Sequence, residues 1–338
     1  MDNYLTDLEV ALKENGFSEN YINLCIQYCN RLIQNQLPVI FDLDHLCKLL
    51  GVSKKYLVKI IFATERFYKT AKIPKKKSGE FREVVIPTNG LMYIQRWILD
   101  NVLYNLHISD FSTGFRKEYS IVDNANPHVN KDCILNLDIK DFFPSITFER
   151  VFLIFYYHGY TKELSYYLAK LCTLNERLPQ GAPSSPYISN IICLKLDKRL
   201  SVLASNLGAD YSRYADDITI SGPKYIKDNI NFFESIIIDE GFACNHEKKR
   251  TVFRHERQMV TGLVVNDKVK VPKKTKNYLR QQIYYCKRFG VYNNLKWQNC
   301  DKSNYKSHLY GLAYYIFMVE EQRGKKFLDE LDTIIWEY

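Results

Sequence analysis

The sequence predicts an α+β protein, and three observations carry that expectation. The first seventy or so residues show helix caps and stops with no strand signal. The middle of the chain holds β-patterned segments around a pair of adjacent acids, and from Pro272 onward the apolar spacing is helical again. In the first part Gly16 and Gly51 are C-terminal stops, while Ser18, Asp42 and Ser53 are N-caps. Leu46 to Ser53, followed by Leu57 and Ile60, has the outline of a helix-turn-helix with Lys54, Lys55 and Lys59 on its second helix. Ordinary packing of two helices gives the same pattern.

From Lys72 to Pro87 the chain reads as a basic hairpin turning at Ser78-Gly79, and Leu91 to Leu106 returns to helical spacing. Cys133 to Ile139 alternates, so that Cys133, Leu135, Leu137 and Ile139 share one strand face while Asn136 and Asp138 point the other way. Helices are expected over Thr147–Tyr157 and Thr161–Cys172. The breaker-rich loop Leu178–Pro186 ends with Ser185 as N-cap and Pro186 as first helical residue of one long helix reaching about Asn206. Tyr225–Asp239 reads as a helix stopped at Gly241. Strands follow at 250–254 and 258–265, the latter turning at Asn266-Asp267 into Lys268–Val271, and three helices close the chain.

Composition narrows the class. A chain of 338 residues, 46% apolar, can build two or three subdomains with real cores. No apolar run approaches the ~18 residues of a membrane span, and Met1-Asp2-Asn3-Tyr4 does not begin a signal peptide, so a cytoplasmic protein is expected. The nine cysteines contain no Cys-x-x-Cys pair and fit neither a zinc module nor a secreted disulfide framework. The net charge of +9 is concentrated: between Lys248 and Arg288 stand thirteen lysines and arginines against Glu256 and Asp267. That is the electrostatic footprint of a phosphate-backbone binder, and tyrosines interleaved with the bases offer stacking surfaces. A solvated basic face is the plainer reading of the same residues.

The chemistry centres on Ser212-Arg213-Tyr214-Ala215-Asp216-Asp217-Ile218-Thr219-Ile220-Ser221. β-Formers on both sides of two acids place Asp216 and Asp217 at a hairpin tip. Adjacent carboxylates repel unless a cation offsets them, and a hard divalent ion prefers such oxygen ligands. A solvated turn is the alternative. Asp138, on the polar face of an otherwise apolar strand, supplies a third carboxylate if that strand lies beside the hairpin. Two Mg²⁺ ions roughly 3.5–4 Å apart would then be bridged by Asp138 and Asp216.

Four separated motifs occur in order: Leu137-Asp138-Ile139-Lys140-Asp141-Phe142-Phe143-Pro144, Pro179-Gln180-Gly181-Ala182-Pro183-Ser184-Ser185-Pro186, Tyr214-Ala215-Asp216-Asp217, and Gly241 to Lys248. Together they resemble the palm and fingers of reverse transcriptases. The resemblance covers about residues 72–320 and implies a right-hand polymerase. Its parts would be a helical N-terminal extension (1–71), fingers (72–132), a palm whose antiparallel sheet packs on helices (133–265, with fingers elements at about 160–185) and a helical thumb (266–338).

It further implies Asp138, Asp216 and Asp217 as the catalytic triad, with Asp138, Ile139, Asp216 and Asp217 holding two Mg²⁺. The dNTP would be held by Arg82, Lys76, Gln180, Gly181 and Lys248, with Phe143 under the sugar as a gate against a 2′-hydroxyl. For Phe143 the plainer reading is a core residue beside Phe142. Asn124, Ala125 and His128, and Val260, Thr261 and Gly262, are similar to features of retron reverse transcriptases. Taken without that resemblance, Thr261-Gly262 reads as a strand bulge and His128 as a core or capping histidine.

A retron assignment implies a structured noncoding RNA of msr-msd type, serving as primer through a guanosine 2′-hydroxyl and as template, and a branched msDNA product. A separate effector protein acting in antiphage defence is implied too, with no membrane partner. Lys268, Lys270, Lys273, Lys274, Lys276, Arg280, Lys287 and Arg288 would hold the RNA. The competing expectations are another bacterial reverse transcriptase (defence-associated, diversity-generating or intron-derived) or a non-catalytic RNA-binding scaffold.

Overall fold

The computed structural model describes residues 2–74, 81–298 and 304–336. The chain folds as two compact units. One comprises residues 1–116, 139–200 and 234–245, the other residues 117–138, 201–233 and 246–338.

The first unit opens with helices Asp2–Glu14, Glu19–Gln34, Leu43–Leu50 and Lys54–Phe62. Ser18, Asp42 and Ser53 accept hydrogen bonds from the backbone N–H three residues on, as their N-cap positions require. Gly51 ends the third helix in the left-handed region at φ 66°. The third and fourth helices bury Leu46, Leu50, Leu57 and Ile60, and Lys54 is paired with Asp44 at 2.7 Å. The helix-turn-helix outline is thus packed through its apolar side.

Strand β1 (Tyr68–Pro74) begins four residues earlier than the sequence suggests and pairs antiparallel with β2 (Phe81–Pro87). The expected Ser78-Gly79 turn lies outside the described residues. Helices Asn89–Asn101, Phe148–Tyr157 and Lys162–Cys172 follow the predicted spacing, the last capped by Thr161. The single helix expected from Pro186 to Asn206 is two, Ser185–Ile192 and Leu194–Asn206. Cys193 leaves helical geometry at φ −80°, ψ 0°, with no Gly or Pro to announce the break. Ser184 rather than Ser185 occupies the N-cap, one residue earlier than predicted.

The second unit is built on a four-stranded antiparallel sheet in the order β4 (Asp210–Tyr214), β5 (Asp217–Gly222), β3 (Cys133–Asp138), β6 (Arg250–Phe253). β3 is central and flanked antiparallel by β5 and β6. One face carries Leu135, Leu137, Ile218, Ile220 and Tyr211, all buried. The other carries Asp138, Asn136, Asp217, Thr219 and Ser212, because residues directly opposite one another in an antiparallel pair share a face.

Two further corrections fall in this unit. The strand expected over 258–265 is a tiny hairpin, β7 (Met259–Val260) and β8 (Leu263–Val264), turning at Thr261-Gly262 with φ 45° and 83°. Positive φ at both central residues is the hairpin geometry whose twist matches the strands, so the pair forms a turn and not a bulge. The three helices expected after Pro272 are four among the described residues: Lys273–Phe289, Val291–Trp297, Tyr305–Val319 and Glu321–Asp332. Gly290, at φ 81°, separates the first two. These helices share an apolar core with β7 and β8 through Val260, Leu263, Leu279, Ile283, Leu309, Ile316 and Leu331. No helix of the described residues is long and apolar enough to cross a membrane.

Candidate active site

The hairpin β4–β5 closes with Tyr214 opposite Asp217, leaving Ala215 and Asp216 as a two-residue turn. Ala215 sits in the left-handed region at φ 59°, a conformation that costs a non-glycine residue ~1–2 kcal/mol. Arg213, fully buried on the apolar face, donates from its guanidinium to the Ala215 carbonyl at 3.0 Å and fastens the turn.

The register then assembles the acids. Asp138, the last residue of β3, lies directly opposite Asp217, the first of β5. Carboxylate oxygens of Asp138, Asp216 and Asp217 lie within 4.8 Å of one another. On the other side of β3, Asn136 pairs with Arg250. The ladder ends there and the chain turns through residues 246–248, from which the Lys248 ammonium donates to Asp138 Oδ2 at 2.6 Å. Asp138 is 4% exposed, so this lysine keeps a buried carboxylate from standing alone.

Electrostatics follow from the crowding. Asp217 is pushed up to about 6, first by loss of water around its carboxylate and then by the charges of Asp216 and Asp138. Partial burial works against the Lys248 charge, but its bond to Asp138 and the nearby acids outweigh this and hold the ammonium above the ordinary lysine range. An all-oxygen donor set with surplus negative charge fits a divalent cation, and one such ion would relieve the repulsion that raises Asp217. Ile139, next in the chain, is buried and bridges Cys244 in its own unit.

Of the nucleotide-binding candidates, Lys248 lies in the same unit as the acids, and Phe143, Gln180, Gly181 and Arg82 lie in the other. Phe142 is buried, whereas Phe143 is only half-buried on a one-turn helix, its ring 5.4 Å from Phe142 and 6.1 Å from Phe115. The Gln180 carbonyl accepts from the Val85 N–H at 3.1 Å, joining the Pro179–Pro183 loop to β2, the strand that also carries Arg82. Gly181 has φ 126°, and a Cβ there would lie 2.4 Å from the Val85 carbonyl oxygen, so the close approach of loop and strand requires glycine. Lys76 lies outside the described residues, as does the side chain of Arg82.

Among the basic residues after Val265, Lys268, Lys270, Lys273 and Lys276 line a cavity of about 1000 Å³ together with Arg257 and Arg323. Lys276 is buried and bonded to Glu320 at 2.6 Å. Lys274, Arg280, Lys287 and Arg288 lie on the exposed face of Lys273–Phe289. Asn124, Ala125, His128 and Val260 are buried. Sequence reasoning assigned no role to Arg213, Ser212 or Ser221. The register places Arg213 opposite Ile218 and on the face of Tyr211, which the local sequence around the turn does not announce.

A palm-like sheet with three clustered carboxylates at one strand end and a lysine beside them defines the class as a nucleotidyl-transferring polymerase. The family described as "Reverse transcriptase (RNA-dependent DNA polymerase)" matches residues 73–283. The chain is 34% identical to the Retron Ec86 reverse transcriptase of Escherichia coli over 92% of its own length and 96% of that protein's. It is 33% identical to the Retron Mx162 reverse transcriptase of Myxococcus xanthus over 89% and 68%. A telomerase structure from Candida tropicalis superposes with a TM-score of 0.47 at 13% identity, over 79% of this chain and 56% of that one, so the chain spans little more than half of that telomerase. The chain belongs to the reverse transcriptases of retrons, and it is an RNA-directed DNA polymerase.

Proposed function

We propose that this polymerase copies a structured noncoding RNA of msr-msd type into branched msDNA, starting from a guanosine 2′-hydroxyl of that RNA, and that it works with a separate effector protein in antiphage defence. The observation that carries the reading is the register-built triad of Asp138, Asp216 and Asp217 in a chain whose similarity to a retron reverse transcriptase runs over 92% of its length.

Two Mg²⁺, held by the triad and the Ile139 carbonyl, would supply activation of the attacking hydroxyl and neutralisation of the departing pyrophosphate. The chain's own residues do the positioning. Asp138 and Asp217 present their carboxylates from facing strand ends, and the turn fastened by Arg213 presents Asp216. Lys248 limits the net negative charge that the triphosphate must approach. Phe143 bars a 2′-hydroxyl on the incoming sugar, Gln180 and Gly181 line the nucleotide pocket, and Arg82 with Lys76 holds the triphosphate. The basic residues from Lys268 to Arg288 contact the RNA. Lys276 differs from the rest of them in being buried against Glu320. The extension, fingers, palm and thumb divide at residues 71, 132 and 265.

Incubating the purified protein with RNA transcribed from the DNA flanking its gene, together with dNTPs and Mg²⁺, tests this reading. The expected product is DNA joined to RNA through a 2′–5′ linkage, which resists ribonuclease at the branch nucleotide. Extension of an external primer with no branched product would assign the chain to another priming mode.

A further inference from the structure

The polar face of the sheet carries a second feature that the chemistry above does not use. His128 is completely buried on the short turn Asn126–His128, which follows helix Ile121–Ala125. Its Nδ1 lies 2.6 Å from Ser221 Oγ and its Nε2 2.7 Å from Ser212 Oγ. Those serines belong to different strands of the catalytic hairpin: Ser212 stands four residues before Asp216, Ser221 four after Asp217. Both side chains lie on the face that carries Asp138 and Asp217. One rigid ring therefore ties β4 to β5 behind the acids.

The tie is anchored in turn. Ser212 Oγ lies 3.5 Å from the Asn124 carbonyl, Asn124 Nδ2 lies 3.4 Å from Thr261 Oγ1, and Thr261 Oγ1 donates to the Ile121 carbonyl at 3.3 Å. The two motifs set apart in the sequence, around Asn124–His128 and Val260–Gly262, thus meet in one buried network against the hairpin. With Ser212 donating to Asn124, His128 Nε2–H donates to Ser212 and Nδ1 accepts from Ser221, so every group in the chain has a partner of the right kind. Burial pushes the imidazole down to about 4, which keeps it neutral, with one donor and one acceptor, wherever the enzyme works.

We propose that His128 is a positioning residue for polymerisation: by bonding Ser212 and Ser221 it fixes the relative slide of β4 and β5, and so sets Asp216 and Asp217 against Asp138. The inference rests on the reading that these three acids hold the catalytic metals. Small shear between the strands moves the hairpin tip relative to β3, and carboxylates that share divalent ions tolerate little displacement. Removing a partner that orients metal ligands typically costs ~10–100-fold in metal affinity or activity.

Mg²⁺-dependent extension of an external primer–template by the full-length protein supplies the test. His128→Ala is expected to raise the Mg²⁺ half-saturation concentration by about tenfold and to lower kcat by about 10–100-fold, with KM for dNTP nearly unchanged. His128→Gln, which can still bond one strand, recovers part of both. Ser212→Ala with Ser221→Ala keeps the ring but removes its partners. That double variant reproduces the shift, and adding His128→Ala to it changes little further.

If His128→Ala does not fold, the double-serine variant decides the question by the same readouts. A lowered Tm with wild-type kcat and Mg²⁺ half-saturation in either variant would reduce His128 to a packing residue and overturn the proposal. Failure of the underlying reading looks different: Asp216→Asn would then keep full activity.

Discussion

The turn that carries Asp216 and the turn at Thr261-Gly262 are both two-residue hairpin connections in the same unit, and both place a residue with a side chain in the left-handed region. Ala215 has φ 59° and Thr261 φ 45°. They are held by opposite means. The Ala215 turn is gripped from outside, by Arg213 reaching its carbonyl from a buried position on the apolar face. The Thr261 turn holds itself, its own hydroxyl bonding Asn124 and the Ile121 carbonyl. Strained backbone persists where surrounding contacts over-determine it. In the first turn the residue after the strained one, Asp216, brings its carboxylate to the acid cluster; in the second the strained residue is itself the fastener.

The largest expected effect breaks the first turn's function without touching its geometry. Asp216→Asn keeps size and hydrogen-bonding shape but removes a charge from the carboxylate cluster proposed to hold the metals. Primer extension in Mg²⁺ should fall by about three orders of magnitude, equivalent to ~4 kcal/mol of transition-state stabilisation. Its thermal stability should match the wild type or exceed it. A variant within tenfold of wild-type activity would show that the Ala215 turn serves some end other than presenting this carboxylate.

A smaller effect concerns what the first turn costs the folded protein. Asp217 sits at about 6, above its ordinary carboxylate value, so the folded chain binds this proton more readily than the unfolded chain does. The ionised group therefore destabilises the fold. The penalty is complete above about pH 6 and fades as the pH falls through about 6 toward 4. In EDTA, Asp217→Asn should be more stable than wild type at pH 7.5 by on the order of 1 kcal/mol, a figure discounted for the solvent that reaches this side chain. Toward pH 4 the two should converge. Melting curves across that range check it, and a difference that does not vary with pH would assign the gain to packing.

The comparison also marks where sequence reading succeeds. The clustering of Asp138, Asp216 and Asp217 was legible because an acid has few reasons to interrupt β-formers, and the placement of Lys248 beside them because a basic residue follows the hairpin at the spacing of the resembled family. N-caps at Ser18, Asp42 and Ser53 were legible because the bond that makes them is local. The fasteners were not. Arg213 reads in sequence as one more charge beside a turn, and only the register reveals that it lies on the apolar face opposite Ile218. His128 reaches Ser221 across 93 residues, a separation that no local pattern encodes. The break at Cys193 and the turn at Thr261 were missed for a related reason. No Gly or Pro marks the first, and β-branched residues favoured a continuous strand through the second.

The smallest effect sets the two turns directly against each other by placing glycine at each strained position. At Ala215 glycine relieves ~1 kcal/mol or more of left-handed strain and adds a somewhat smaller entropy to the unfolded chain, while the Arg213 bond goes to a carbonyl that remains. Ala215→Gly should therefore be neutral or stabilising by ~0.5 kcal/mol. At Thr261 glycine relieves similar strain but deletes the hydroxyl, so the Asn124 amide and the Ile121 carbonyl each lose a bond worth ~0.5–1.5 kcal/mol. Thr261→Gly should be destabilising by about 1 kcal/mol. Denaturant unfolding of both variants in EDTA compares them without the contribution of bound metal. Opposite signs support one turn held from outside and one held by its own side chain; matching signs would mean that the Thr261 hydroxyl does not hold its turn.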